Sequence, residues 1–134
     1  IAEELVRVKQ ILDAAEIDVT ITGNDVSTLN IPTLSESVIA MCLKEAVNNV
    51  VKHSKANHCL ISITQSNNEV QLIVYDDGVG FNTELRHAGN GLIGMRERLE
   101  FINGTLEINR KKVGTELIVH VPVAITHQKR SGKK

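Results

Sequence analysis

Two pairs of short β-branched runs set the main constraint on how this chain can fold. Cys59 to Thr64 and Val70 to Tyr75 are β-branched alternating runs on either side of Ser66-Asn67-Asn68, and Thr105 to Asn109 and Thr115 to Val121 form a second pair around Lys111-Lys112-Val113-Gly114. Alternation of period two puts every second side chain on one sheet face, and short turn-forming connections close such runs into antiparallel hairpins. A sheet with one apolar face needs a second layer, which the rest of the chain supplies as helices.

The strongest helical period runs from Thr33 to His53. It opens on Thr33-Leu34-Ser35-Glu36, the capping-box pattern in which each side chain satisfies the other residue's backbone donor, and its apolar line is Leu34, Val38, Cys42, Ala46 and Val50. Residues 2 to 16 place Leu5, Val8, Leu12 and Ala15 at helical spacing, and Ile17, Val19 and Ile21 then alternate as a half-buried strand before Gly23-Asn24-Asp25. A third helix is expected over Met95 to Ile102. Helix, strand, helix, hairpin, helix, hairpin predicts an α+β fold: a two-layer α/β sandwich with helices on one face of a mostly antiparallel, mixed sheet.

Composition removes several function classes. The 134 residues carry 15 Lys+Arg against 16 Asp+Glu, with no Trp, one Tyr and two Phe. Lys129, Arg130, Lys133 and Lys134 all lie in the tail, so the body is acidic and lacks both the basic footprint and the stacking platforms of a nucleic-acid binder. Cys42 and Cys59 have no metal-ligand spacing with each other or with the five histidines, and are expected to be buried and reduced. No apolar run is long enough to cross a bilayer, and no charged leader precedes an apolar core. The chain opens on Ile1, which reads as a piece of a longer protein; residues 124 to 134 lack any apolar period and are expected to be disordered.

Three clusters carry chemistry. Glu45, Asn49 and His53 are spaced by four on the long helix, with Lys52 beside them at the margin of the apolar line. Carboxylate, amide, ammonium and imidazole together suit a hard cation and a polyphosphate, although an ordinary solvated helix margin has the same composition. Asp76-Asp77-Gly78-Val79-Gly80 follows a strand, so it is either a simple turn or a carboxylate beside backbone bare enough for a flat ligand. Gly89-Asn90-Gly91-Leu92-Ile93-Gly94 matches GxGxxG literally, but polar, loop-like residues 82 to 88 precede it where a dinucleotide fold needs a strand. What survives is free amides opening a helix, an anion site suited to phosphate.

In the order EAVNN...KH, DxGxG, GxGLxGM and a late GT, these clusters become specific. Residues 33 to 121 resemble the ATP-binding catalytic domain of bacterial sensor histidine kinases, in the superfamily that includes gyrase, the Hsp90 chaperones and MutL, and Leu92-Ile93-Gly94-Met95-Arg96-Glu97-Arg98 is similar to the NarL-type subfamily. The resemblance implies a Bergerat-type ATP-binding fold. It implies that Asn49 holds magnesium, that Lys52 and His53 face the nucleotide phosphates and sugar, and that Glu45 has an auxiliary catalytic role. Asp76, Gly78 and Gly80 match the first glycine box, whose aspartate binds the adenine amino group. Gly89, Gly91, Leu92 and Gly94 match the second, beside the phosphates, and Thr115 matches the late threonine near adenine. Only residues 81 to 88 separate the two boxes, which implies a short lid from which Arg86 and His87 reach phosphate or remain plain loop polars.

The implied reaction is transfer of the ATP γ-phosphoryl group to a histidine. In this family the acceptor histidine precedes an acidic residue on a dimerising helical domain, whereas the five histidines here precede Ser, Cys, Ala, Val and Gln. The acceptor is therefore expected outside this chain, with residues 1 to 16 ending a linker helix from it and residues 17 to 123 forming the catalytic domain. A homodimeric parent in the bacterial cell membrane, with this domain on the cytoplasmic side and making no membrane contact of its own, and a response regulator as phosphate recipient complete the expectation. A hydrolytic ATPase of the gyrase or chaperone kind, an anti-sigma-like serine kinase and a nucleotide-sensing binding module remain alternatives.

Overall fold

The computed structural model describes residues 1–66, 68–79 and 86–123. Helix α1 spans Ala2–Ala14, strand β1 Asp18–Gly23, helix α2 Thr33–Asn49, strands β2 His58–Gln65 and β3 Glu69–Asp76, helix α3 Arg86–Phe101, and strands β4 Thr105–Arg110 and β5 Thr115–Pro122. The five strands form one sheet in the order β1-β2-β3-β5-β4. β2–β3, β3–β5 and β4–β5 pair antiparallel, as the hairpin pattern predicts. β1 pairs parallel to β2, which the α2 crossover between them permits.

The alternation in the strands becomes the division between sheet faces. Cys59, Ile61 and Ile63 of β2, Val70, Leu72 and Val74 of β3, and Leu117, Val119 and Val121 of β5 are buried on the side that meets the helices. Leu5, Val8 and Leu12 of α1, Met95 and Leu99 of α3 and most of the inner face of α2 enter the same core. Among the described residues no helix is long and apolar enough to cross a membrane.

Four expectations need correction. Pro32, not Thr33, occupies the N-cap of α2 and no side chain caps it, so the expected capping box does not form. Proline's fixed φ begins the helix one residue early, so Thr33 already lies within it. Leu34 is 62% exposed, because positions four apart drift by roughly 40° per step on a helix of 3.6 residues per turn. The buried face therefore follows mixed spacing through Val38, Ile39, Cys42, Leu43, Ala46 and Val47. The third helix, expected over Met95 to Ile102, already begins at Arg86 and ends on Phe101, which is 85% exposed, and the α3 core positions are filled by Met95 and Leu99. Ile21 lies on an edge strand and is exposed, so only Ile17 and Val19 of that run are covered. The expected tail at residues 124 to 134 lies outside the described residues.

Candidate functional site

The end of β3 carries the best-defined part of the site. Asp76 is its last residue, only 4% exposed, with Thr115 as its register partner on β5 and Cys59 on β2. Both Asp76 and Thr115 face the helix side of the sheet, and α2 packs across β3 and β5. The Asp76 Oδ1 accepts the Gly78 N–H at 2.9 Å, so the backbone folds back onto the carboxylate directly after the strand. Gly114, at φ +89°, presses against the same place: a Cβ there would lie 1.8 Å from the Asp76 carbonyl oxygen. Only glycine tolerates that approach and that conformation together, which gives a physical reason for the late Gly-Thr pair.

Among the described residues, three buried side-chain polar atoms have no hydrogen-bond partner: Glu4 Oε2, Asn49 Nδ2 and Thr115 Oγ1. Two of the three belong to residues that the sequence marks for ligand binding. An unsatisfied buried polar group costs about 1–3 kcal/mol, so such groups call for a partner that the described residues do not supply. Asn49 is 6% exposed at the C-terminal end of α2, one turn after Glu45. Beyond it the helix widens into a π turn, Val50–Ser54, whose i→i+5 bonding displaces Lys52 and His53 from the positions that a regular α-helix would give them. Lys52 is exposed, and the His53 side chain lies outside the description.

The second glycine box is arranged differently from the expectation. It does not open the helix; α3 already begins at Arg86 and encloses Gly89, Gly91, Leu92 and Gly94. The unpaired helix-start amides thus belong to residues 86 to 89, and those of Gly91 and Gly94 fall within the helical ladder. No proline interrupts residues 86 to 95, and each glycine weakens a helix by only about 1 kcal/mol. Gly91 meets α2: a Cβ on it would stand 2.3 Å from the Glu45 Oε2, whereas nothing lies within 4 Å of one on Gly94. Leu92 is buried. The side chains of Arg86 and His87 and the whole of Gly80 and residues 81 to 85 lie outside the described residues.

Asp77 and His58 went unmarked in the sequence. The Asp77 carboxylate accepts the backbone N–H groups of Asn57 and His58, each at 2.9 Å, and lies 2.9 Å from the His58 Nδ1. These bonds, the His58 N–H foremost, hold its carboxyl down at about 2. The Asp-Asp doublet was the available signal. Burial pushes both Cys42 and Cys59 thiols up to about 12, which keeps them protonated and fits packing residues. No group of three His, Cys, Asp or Glu side chains fit to hold a metal occurs among the described residues.

With this geometry in place, the chain belongs to the family described as Histidine kinase-, DNA gyrase B-, and HSP90-like ATPase, which matches residues 35–125. It is 47% identical to the sensor histidine kinase DesK of Bacillus subtilis over 90% of this chain and 32% of that protein. Identity with the sensor histidine kinase YvfT of the same organism is 40%, over 92% of this chain and 32% of the relative. The chain thus spans about a third of the length of these curated relatives. In fold it matches the catalytic domain of histidine kinase ThkA, with a TM-score of 0.75 at 18% identity over 92% of this chain and 89% of that structure. The α+β fold of histidine kinase catalytic domains is therefore shown, and the family is one of ATP-binding domains.

Proposed function

We propose that this chain binds Mg-ATP and donates the γ-phosphoryl group to a histidine on a separate dimerisation domain, from which an aspartate of a response regulator receives it. The observation that carries the reading is the buried Asp76 carboxylate, set beside a Thr115 hydroxyl that has no partner among the described residues. Asp76 accepts the adenine amino group and Thr115 supports the base. A guanine, which presents a carbonyl at the same edge, meets a carboxylate that repels it. Asn49 and Glu45, one turn apart on α2, offer the oxygen ligands a magnesium ion takes when phosphates supply the remainder, and the Asn49 Nδ2, which has no acceptor among the described residues, is a donor suited to a phosphate oxygen. Magnesium would neutralise charge on the phosphates. Lys52, exposed just beyond, adds a point charge, and the family pattern assigns His53 to the sugar.

Phosphoryl transfer depends chiefly on positioning and charge neutralisation, so a nucleotide clamp can constitute most of the catalyst. For its anion site to form from the glycine-rich box, the first turns of α3 must open; Gly89, Gly91 and Gly94 lower the helical stability that resists this. Arg86 and His87 then lie at the phosphate end. A docking surface for the dimerisation domain is offered by an apolar groove of about 330 Å³ between α2 and α3, lined by Leu34, Ser37, Val38, Met41, Arg98 and Phe101. The parent protein is a homodimer in the bacterial cell membrane with this domain on the cytoplasmic side, and α1 continues from its linker.

The test is to mix this chain with the separately produced dimerisation domain of its parent and labelled ATP. Acid-labile label on the dimerisation domain, and none on this chain alone, is the expected result. Label on serine, or steady hydrolysis that Glu45→Ala abolishes without any phosphoprotein, would replace the reading with a serine kinase or an ATPase.

A further inference from the structure

We infer that Asp77 is a positioning residue for nucleobase recognition, its carboxylate hooking the turn that carries Asp76 onto the start of β2 and so fixing the direction in which Asp76 faces the base. This rests on the reading of Asp76 as the base-binding residue. The two acids are adjacent but do opposite things. Asp76 turns toward the helices at 4% exposure, while Asp77 reaches sideways to the neighbouring strand. Its Oδ1 takes the N–H groups of both Asn57 and His58, its Oδ2 lies 2.9 Å from the His58 ring, and its own N–H donates to the His58 carbonyl at 3.2 Å. One residue thus ties the exit of β3 to the entry of β2 through four contacts.

The other flank of the turn is held as well. The Tyr75 hydroxyl donates to the Val113 carbonyl at 2.8 Å, and Gly114 is packed directly on the Asp76 carbonyl. Asp76 sits between these two attachments, with its carboxylate already oriented by the Gly78 N–H. A base-reading carboxylate discriminates only if it cannot swing toward a different edge, so a fixed turn converts hydrogen bonding into selectivity. The contact does not depend on charge alone. His58 also faces Asp18, its Nε2 3.6 Å from the Asp18 Oδ2, and Asp77 remains ionised through the neutral range.

The experiment compares this chain with Asp77→Ala and Asp77→Asn by calorimetric titration of ATP and GTP, and by amide hydrogen exchange at Gly78 without nucleotide. Asp77→Ala is expected to weaken ATP binding about tenfold, narrow the ATP/GTP ratio and speed exchange at Gly78. Asp77→Asn keeps an oxygen for both backbone N–H groups and is expected to recover most of the selectivity. A residue that merely stabilised the fold would lower the melting temperature of Asp77→Ala while leaving the ATP/GTP ratio unchanged, and that result overturns the inference alone. A parent chain that binds ATP and GTP alike overturns the Asp76 reading and this inference together.

Discussion

The two ends of the candidate nucleotide site are built from different materials. The base end stands on the middle of the sheet: Asp76 and Thr115 are register partners on adjacent strands, and the turn after β3 is attached to β2 through Asp77 and to the β4–β5 hairpin through Tyr75. The phosphate end stands on helix termini: a π turn after α2 and a glycine-bearing first half of α3. Sheet hydrogen bonds fix positions from two sides, whereas a glycine-rich helix start is held mostly by its own ladder and opens locally at low cost. Under the proposed function, base recognition is pre-arranged here and phosphate binding requires rearrangement.

The largest effect that would sharpen this contrast is at Asp76. Asp76→Asn keeps an acceptor for the Gly78 N–H but presents the wrong group to adenine, and calorimetry should show ATP affinity falling about a hundredfold with little change in melting temperature. Phe101→Ala should leave ATP binding intact yet lower label transfer to the dimerisation domain about tenfold, since its ring is exposed at the apolar groove and lines no part of the nucleotide site. At the phosphate end, Gly94→Ala meets no neighbour within 4 Å and strengthens the helix by about 1 kcal/mol. It should raise the melting temperature and weaken ATP binding up to about fivefold, whereas unchanged affinity would show that α3 need not open.

Smaller still is Thr115→Val. Removing a buried hydroxyl that lacks a partner among the described residues should stabilise the nucleotide-free chain by about 1 kcal/mol while weakening ATP a few-fold, both readable in thermal melts with and without nucleotide. The smallest effect concerns acid. Because the folded state lowers the Asp77 carboxyl from 3.8 to about 2, its contribution to stability is complete above the higher value and lost as pH falls through the lower. Melting curves should therefore show a stability component that disappears between pH 4 and pH 2 in the parent chain and is missing from Asp77→Asn.

What could be seen in the sequence follows the same division. Both hairpins and the existence of α2 and α3 were legible because a period repeated over many residues leaves little freedom of assignment. Asp76 and Thr115 could be named as candidate site residues, but not that they would be register partners, which is a long-range property of strand order. The parallel pairing of β1 was equally hidden, since nothing in Ile17 to Ile21 specifies its neighbour. Local chemistry misled at Thr33, where Pro32 took the cap, and at the second glycine box, where surrounding helix formers enclosed glycines expected to stand ahead of the helix. The Asp77–His58 contact joins residues 19 apart and carries no periodic signal at all.

The most direct measurement is calorimetric titration of ATP and GTP, with and without magnesium, into this chain and into Asp76→Asn. Magnesium-dependent binding of about micromolar strength, equivalent to roughly 8 kcal/mol, that favours ATP and is lost in the variant is the predicted result. Equal binding of ATP and GTP, or undiminished ATP binding in Asp76→Asn, would contradict a site in which the end of β3 reads the base.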